Sequence, residues 1–137
     1  MKFLKDISVI IRCRNEERWI GHSIQSIIDN IGLCEIIVVD NNSTDKSLSI
    51  VKAFAQDPKL SFSKDNNFTK IKIINLNDYS PGKSLNLGVK KANGKYIVVM
   101  SAHCILKKIN LNKTLKDLEK FIAIFGNQIP VWKGKKI

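Results

Sequence analysis

Four short runs rich in β-branched residues, each followed at once by a mostly polar cluster, constrain this chain more than any other feature. They are residues 7–11, 36–39, 71–76 and 96–100. Apolar runs without strict alternation fit strands that are buried on both faces. Between the first two lie Ile20, Ile24, Ile27, Ile28 and Ile31, the stripe of an amphipathic helix, with Gly32 where a C-cap glycine belongs. Asn41, Asn42, Ser43, Thr44 and Asp45 supply turn and N-cap chemistry for a helix to about residue 55. Residues 56–69 read as a polar surface loop, and residues 79–82 as a turn before a third helix over 83–92, closed by Asn93 and Gly94. Leu111, Leu115, Leu118 and Ile122 mark a fourth helix, and residues 122–125 begin a fifth strand. Strand–helix alternation with short connections predicts an α/β fold, a mostly parallel sheet with helices on both faces and right-handed crossovers.

Composition excludes several alternatives. In 137 residues no apolar stretch approaches the ~18 needed to span a membrane. Lys2, Lys5, Asp6, Arg12 and Arg14 surround the first apolar run and no small-residue cleavage site follows, so residues 1–14 read as a first strand and not a secretory signal. Cys13, Cys34 and Cys104 are an odd number without zinc-ribbon spacing, as expected of free thiols in a reducing cytoplasm. The net charge of +11 divides into +5 over residues 1–100 and +6 over 101–137. Lys outnumbers Arg twenty to three, which reads as a solvated Lys-rich face. No nucleic-acid motif accompanies the charge, so nucleic acid is not an expected partner. The basic tail at Lys133, Lys135 and Lys136 reads as a solubilising end with at most peripheral membrane contact.

Parallel sheets bind ligands outside the carboxyl ends of their strands. Arg12, Arg14, Asp40, Asn42, Ser101 and His103 all follow strand ends here. A dinucleotide fold would place G-x-G-x-x-G after the first strand, yet no glycine occurs there before Gly21. A phosphate-cradling loop is missing too, because Pro81-Gly82-Lys83-Ser84 lacks the upstream glycine. What remains is a site with cations at one strand end and a carboxylate at the next. Arg12 or Arg14 suits a diphosphate, and Asp40 suits a base N–H or a ribose hydroxyl. His22, inside the first helix, reads as a surface residue.

Ser8-Val9-Ile10-Ile11-Arg12-Cys13-Arg14-Asn15-Glu16, followed by Ile37-Val38-Val39-Asp40-Asn41-Asn42-Ser43-Thr44-Asp45, resembles the start of family 2 glycosyltransferases, inverting enzymes of the GT-A fold. Pro81-Gly82-Lys83-Ser84-Leu85-Asn86-Leu87-Gly88 and then Ala92-Asn93-Gly94-Lys95-Tyr96-Ile97 resemble the segment that precedes the family's metal motif. The resemblance spans nearly the whole chain, with motif order and spacing kept. It implies a GT-A-like single domain over residues 1–137 that stops before the acceptor half. A nucleotide-sugar donor, a saccharide or lipid-linked acceptor, and a role in cell-surface polysaccharide synthesis at the cytoplasmic face follow from it.

By the same resemblance the loop of Arg12, Arg14, Asn15 and Glu16 faces the nucleotide. Asp40 faces the base, Asn42 the ribose or base edge, and Lys83 and Asn86 the diphosphate and sugar. Most members carry Asp-x-Asp after the fourth strand, holding Mn²⁺ or Mg²⁺ against the diphosphate. This chain has Ser101-Ala102-His103 there, two carboxylates fewer. His103 is left as the candidate metal ligand or, protonated, as a phosphate contact, and the preferred reading is a metal-free or weakly metal-dependent site. The family's strand order would also bring Cys13 towards His103 and Cys104. A Cys/His/Cys metal set there is opposed by the opposite directions of adjacent strand residues. Inverting transfer needs a general base, yet after residue 100 the carboxylates are Asp117 and Glu119, both on the expected fourth helix. The base is therefore expected from elsewhere, either from the rest of a longer enzyme of which this is a fragment or from a second chain supplying the acceptor half; otherwise the domain is a non-catalytic nucleotide-sugar-binding module or an inactive fragment lacking the base.

Overall fold

β-Branched side chains lose rotamer freedom in a helix and pack well on a pleated surface, and all four apolar runs become strands of one sheet. The computed structural model describes residues 3–58, 61–62, 67–68, 71–132 and 135–136. In chain order the elements are β1 (Phe3–Cys13), α1 (Ile20–Asn30), β2 (Leu33–Asp40), α2 (Ser47–Gln56), β3 (Ser61–Phe62), β4 (Asn67–Phe68), β5 (Ile71–Asn75), α3 (Pro81–Lys91), β6 (Tyr96–Ser101), α4 (Leu111–Asp117), β7 (Val131–Trp132) and β8 (Lys135–Lys136). The main sheet has four strands in the order β5-β2-β1-β6, and every neighbouring pair is parallel. The chain thus steps outward from β1 to β5 and then crosses back to lay β6 on the other side of β1. That reversal makes the β1/β6 boundary the switch point where ligands of such sheets collect.

Each side of the sheet has its own apolar layer. Val9, Ile11, Ile36 and Val38 pack with Ile20, Ile24 and Ile27 of α1 and Val51 of α2. On the other side Ile10, Ile37 and Val39 meet Ile74, Leu76, Leu85 and Ala92, the layer beneath α3. β2 is buried at all eight positions, as its central place requires. Gly88 lets α3 settle on the sheet, since a Cβ there would stand 2.5 Å from Ile10 Cγ2. Gly32 closes α1 at φ +113°, the left-handed conformation that glycine adopts without strain.

One polar network crosses this apolar frame. Glu35, at the amino-terminal side of the sheet, is buried and accepts from Ser8 Oγ at 2.5 Å, Lys72 Nζ at 2.6 Å, the Asn93 amide at 2.8 Å and Asn93 Nδ2 at 2.7 Å. Ser8 Oγ in turn accepts from the Gly94 amide at 2.8 Å. One carboxylate therefore ties β1, β2, β5 and the segment entering β6. Burial pushes its pKa up, but the hydrogen bonds from Asn93, Lys72 and Ser8 outweigh burial and hold it at about 2.

Three boundaries differ from the sequence reading. Pro81 and Gly82 are the first turn of α3 and not a turn before it. Ser80 caps that helix by accepting from the Lys83 amide at 3.1 Å, and Pro81 sits where a missing N–H costs nothing. The helix marked by Leu111 ends at Asp117, short of Ile122. Residues 122–125 form no strand: Ile122 is fully exposed, and no described strand lies alongside for them to pair with. In the 56–69 stretch β3 pairs antiparallel with β4; the remainder of that loop from 59 onward lies outside the described residues. So do Lys133 and Gly134 of the basic tail, while Lys135 and Lys136 pair antiparallel with β7. β6 is one of the two edge strands of the main sheet, and its Ile97 and Val99 are exposed on the α3 side. No described helix is long and apolar enough to cross a membrane.

Candidate functional site

The carboxyl ends of β1 and β6 carry the candidate site. Arg12 pairs with Ser101 in the β1/β6 register, and Cys13 with Asp40 in the β1/β2 register. The three expected polar strand ends are therefore side by side because the sheet order makes them so. A cleft of about 140 Å³ opens there, lined by Arg12, Cys13, Arg14, Glu16, Tyr79, Ser101 and His103. Arg12 Nη2 donates to Ser101 Oγ at 3.3 Å, and its Nε is buried without a partner among the described residues. Glu16 Oε1 lies 2.9 Å from His103 Nδ1, which joins the loop after β1 to the loop after β6. Cys13 is a neutral wall: burial, more than any neighbour, pushes its thiol up to about 11.

The floor beside the cleft is a cross-brace between two loops. The Asn15, Glu16 and Glu17 amides donate to Ser43 Oγ at 2.9 Å, Ser47 Oγ at 2.8 Å and Asp45 Oδ2 at 3.0 Å. In return the Thr44 amide donates to Asn15 Oδ1 at 2.8 Å and the Lys46 amide to Glu17 Oε2 at 2.9 Å. Asn15 and Asn42 both adopt φ of 52°, a conformation that Asn tolerates better than most residues. Burial nudges the Asp45 carboxyl up, but hydrogen bonds from Ser47 and the Glu17 amide outweigh it and hold the pKa below its ordinary value.

Of the expected site residues, the structure brings Arg12, Arg14, Glu16, Ser101 and His103 into one cleft. Asn15 stands next to it, its side chain spent on Thr44. Asp40 is fully buried, and both of its oxygens serve Ser43, accepting from Oγ at 2.5 Å and from the amide at 3.0 Å. Asn42 is exposed at the loop apex and outside the cleft lining. Lys83 pairs with Asp78 and Asn86 is exposed on α3; neither lines the cleft. Tyr79 was not anticipated. Only the reversal that carries the chain from β5 to β6 brings its loop across the β1 end, and a lone aromatic in a turn gave no signal of that. Among the described residues no three His, Cys, Asp or Glu side chains converge as metal ligands, so Cys13, His103 and Cys104 form no such set.

The sequence and the fold have counterparts in known proteins. The model of Glycosyl transferase family 2 matches residues 8–135. The chain belongs to that family. An uncharacterized glycosyltransferase of Haemophilus influenzae is 37% identical over 130 residues, covering 91% of this chain and 37% of that protein. The Staphylococcus aureus poly(ribitol-phosphate) beta-N-acetylglucosaminyltransferase TarS is 30% identical over 140 residues, covering 100% of this chain and 22% of its own length. The crystal structure of TarS 1–349 in complex with UDP-GlcNAc superposes with a TM-score of 0.57 at 31% identity, covering 89% of this chain and 31% of that one. The chain therefore spans well under half the length of these relatives, and it has the α/β architecture of GT-A glycosyltransferases.

Proposed function

We propose that this domain holds the donor of a glycosyl transfer, a nucleoside-diphosphate sugar, at the carboxyl ends of β1 and β6. The observation that carries the reading is the cleft itself, where two guanidinium groups, a histidine and a serine from separate strand ends converge. A leaving nucleoside diphosphate gains negative charge as the bond to the anomeric carbon breaks, and preorganised cations at that spot act mainly on the transition state. The family and the UDP-GlcNAc complex of a 31% identical relative support this donor class.

We further propose inverting transfer to a saccharide or lipid-linked acceptor in cell-surface polysaccharide synthesis. In such a displacement the acceptor hydroxyl attacks the anomeric carbon while a base takes its proton. None of the candidate carboxylates stands free in the cleft to be that base. Asp117 is paired with Lys113 at 2.9 Å on α4, Glu119 is exposed outside the cleft, and Glu16 is engaged by His103. The acceptor side, with its base, belongs to residues outside this cleft, in line with a second chain or a further segment supplying it. The same observation favours a second reading, a donor-binding module without turnover of its own.

Thermal unfolding of the chain with UDP, GDP, CDP and dTDP tests the donor reading. A ligand at ~100 times its Kd adds about 2.7 kcal/mol of stability. One nucleotide is expected to shift a cooperative melt, and a cooperative melt moved by none of the four would overturn the reading. Sugar transfer to an added saccharide or polyprenyl-linked acceptor then separates enzyme from module.

A further inference from the structure

The fold family places a divalent cation against the donor diphosphate, and the residues found at that place here do not fit one. Hard cations want oxygen ligands, preferably carboxylates, whereas the end of β6 offers Ser101 and His103. No three metal-ligating side chains converge among the described residues. The one carboxylate in the cleft lining, Glu16, is engaged by His103, and the nearby Asp40 is fully buried, bonded to Ser43 and outside the lining. A dication would instead meet Arg12 and Arg14, which share the cleft with it.

The orphaned atom points the same way. Arg12 uses one donor on Ser101 Oγ, while its buried Nε has no partner among the described residues. A guanidinium carries five N–H donors in a planar fork that matches phosphate oxygens two at a time, and leaving a buried donor unsatisfied is costly. The cleft, about 140 Å³, is smaller than the roughly 300–1,000 Å³ of pockets that enclose whole ligands. It suits the diphosphate portion of a donor.

Resting on the donor reading above, we propose that this site neutralises the diphosphate with protein cations in place of a divalent metal. Arg12 is the central residue, bridging Ser101 of β6 to a phosphate oxygen, and Arg14 adds the second positive charge from the loop after β1.

Calorimetric titration of the full chain with UDP, GDP, CDP and dTDP, each in EDTA and in Mn²⁺, tests this. A nucleoside diphosphate is expected to bind in EDTA with a Kd within about tenfold of its value in Mn²⁺. Inorganic pyrophosphate is expected to compete with it in EDTA. Arg12→Met is expected to weaken diphosphate binding by about 10- to 100-fold, the worth of a hydrogen bond to a charged group, and to weaken the parent nucleoside much less. Arg12→Lys, which keeps the charge and loses the fork, should fall between, and it decides the matter if Arg12→Met does not melt cooperatively. Binding that requires Mn²⁺ overturns this proposal and leaves the donor reading standing. Metal-free binding indifferent to both Arg12 substitutions overturns the assignment to Arg12. No binding in either buffer sinks the donor reading and this proposal with it.

Discussion

Glu35 is the place where a single atom exchange should be felt across the whole sheet. All four of its hydrogen bonds are donated to it, two at Oε1 and two at Oε2. Glu35→Gln keeps the shape and replaces one acceptor oxygen by an NH₂ donor. Two of the incoming donors then lose their acceptor, whichever way the amide is turned, and Lys72 loses its counter-charge. Leaving a buried donor unsatisfied costs about 1–3 kcal/mol, so two such donors predict a loss of at least about 2 kcal/mol in urea unfolding at pH 7; Lys72, its side chain 37% exposed, turns its charge to water. The pH dependence gives an independent check. The folded pKa of about 2 lies below the ordinary 4.5, so the folded state binds fewer protons between these values and stability rises with pH there. At 1.36 kcal/mol per pH unit the full contribution is about 3 kcal/mol. It is complete above about pH 5 and fades as pH falls towards 2. The stability gap between wild type and Glu35→Gln should therefore shrink over that window. A gap under about 1 kcal/mol at pH 7, the worth of one ordinary hydrogen bond, or a gap that stays constant down to pH 2.5, would refute the reasoning.

Two further outcomes are expected. Ser43→Ala removes the hydroxyl shared by Asp40 and the Asn15 amide; it should cost about 1–3 kcal/mol through the unsatisfied groups left behind, read by chemical denaturation, and should also reduce the nucleotide-induced shift of the melt. Burial pushes the Cys13 and Cys34 thiols up to about 11 and about 12, so at pH 8 a disulfide reagent should modify one thiol quickly, at the half-exposed Cys104; fast loss of two or three thiols from the folded chain would contradict the burial described.

The strands were legible because their signal is local: a β-branched run with a polar stop reads the same wherever it sits in the sheet. The residues that the parallel register sets side by side, Arg12 and Ser101, were legible for the same reason. What stayed hidden were the partners. Residues 122–125 look like a strand, but a strand needs a neighbour and none is described beside them. Lys83 looks like a phosphate cation until Asp78, five residues earlier, turns out to face it. Asp40 sits in an Asp-x-x-Ser turn, where each of its oxygens accepts one hydrogen bond from Ser43. Pro81 and Gly82 read as breakers because periodicity says nothing about the first turn of a helix, where proline is at home.

The hydrogen bonds that stitch residues 15–17 to residues 43–47 run in both directions and alternate between backbone amides and side-chain oxygens. Two loops from different crossovers thereby behave as one inherited part. A substitution at Asn15 changes what Thr44 can be, and one at Ser47 changes what the Glu16 amide meets. Natural variation at these positions should be correlated, and a chimaera that imports one loop from a relative should fail where the pair imported together succeeds.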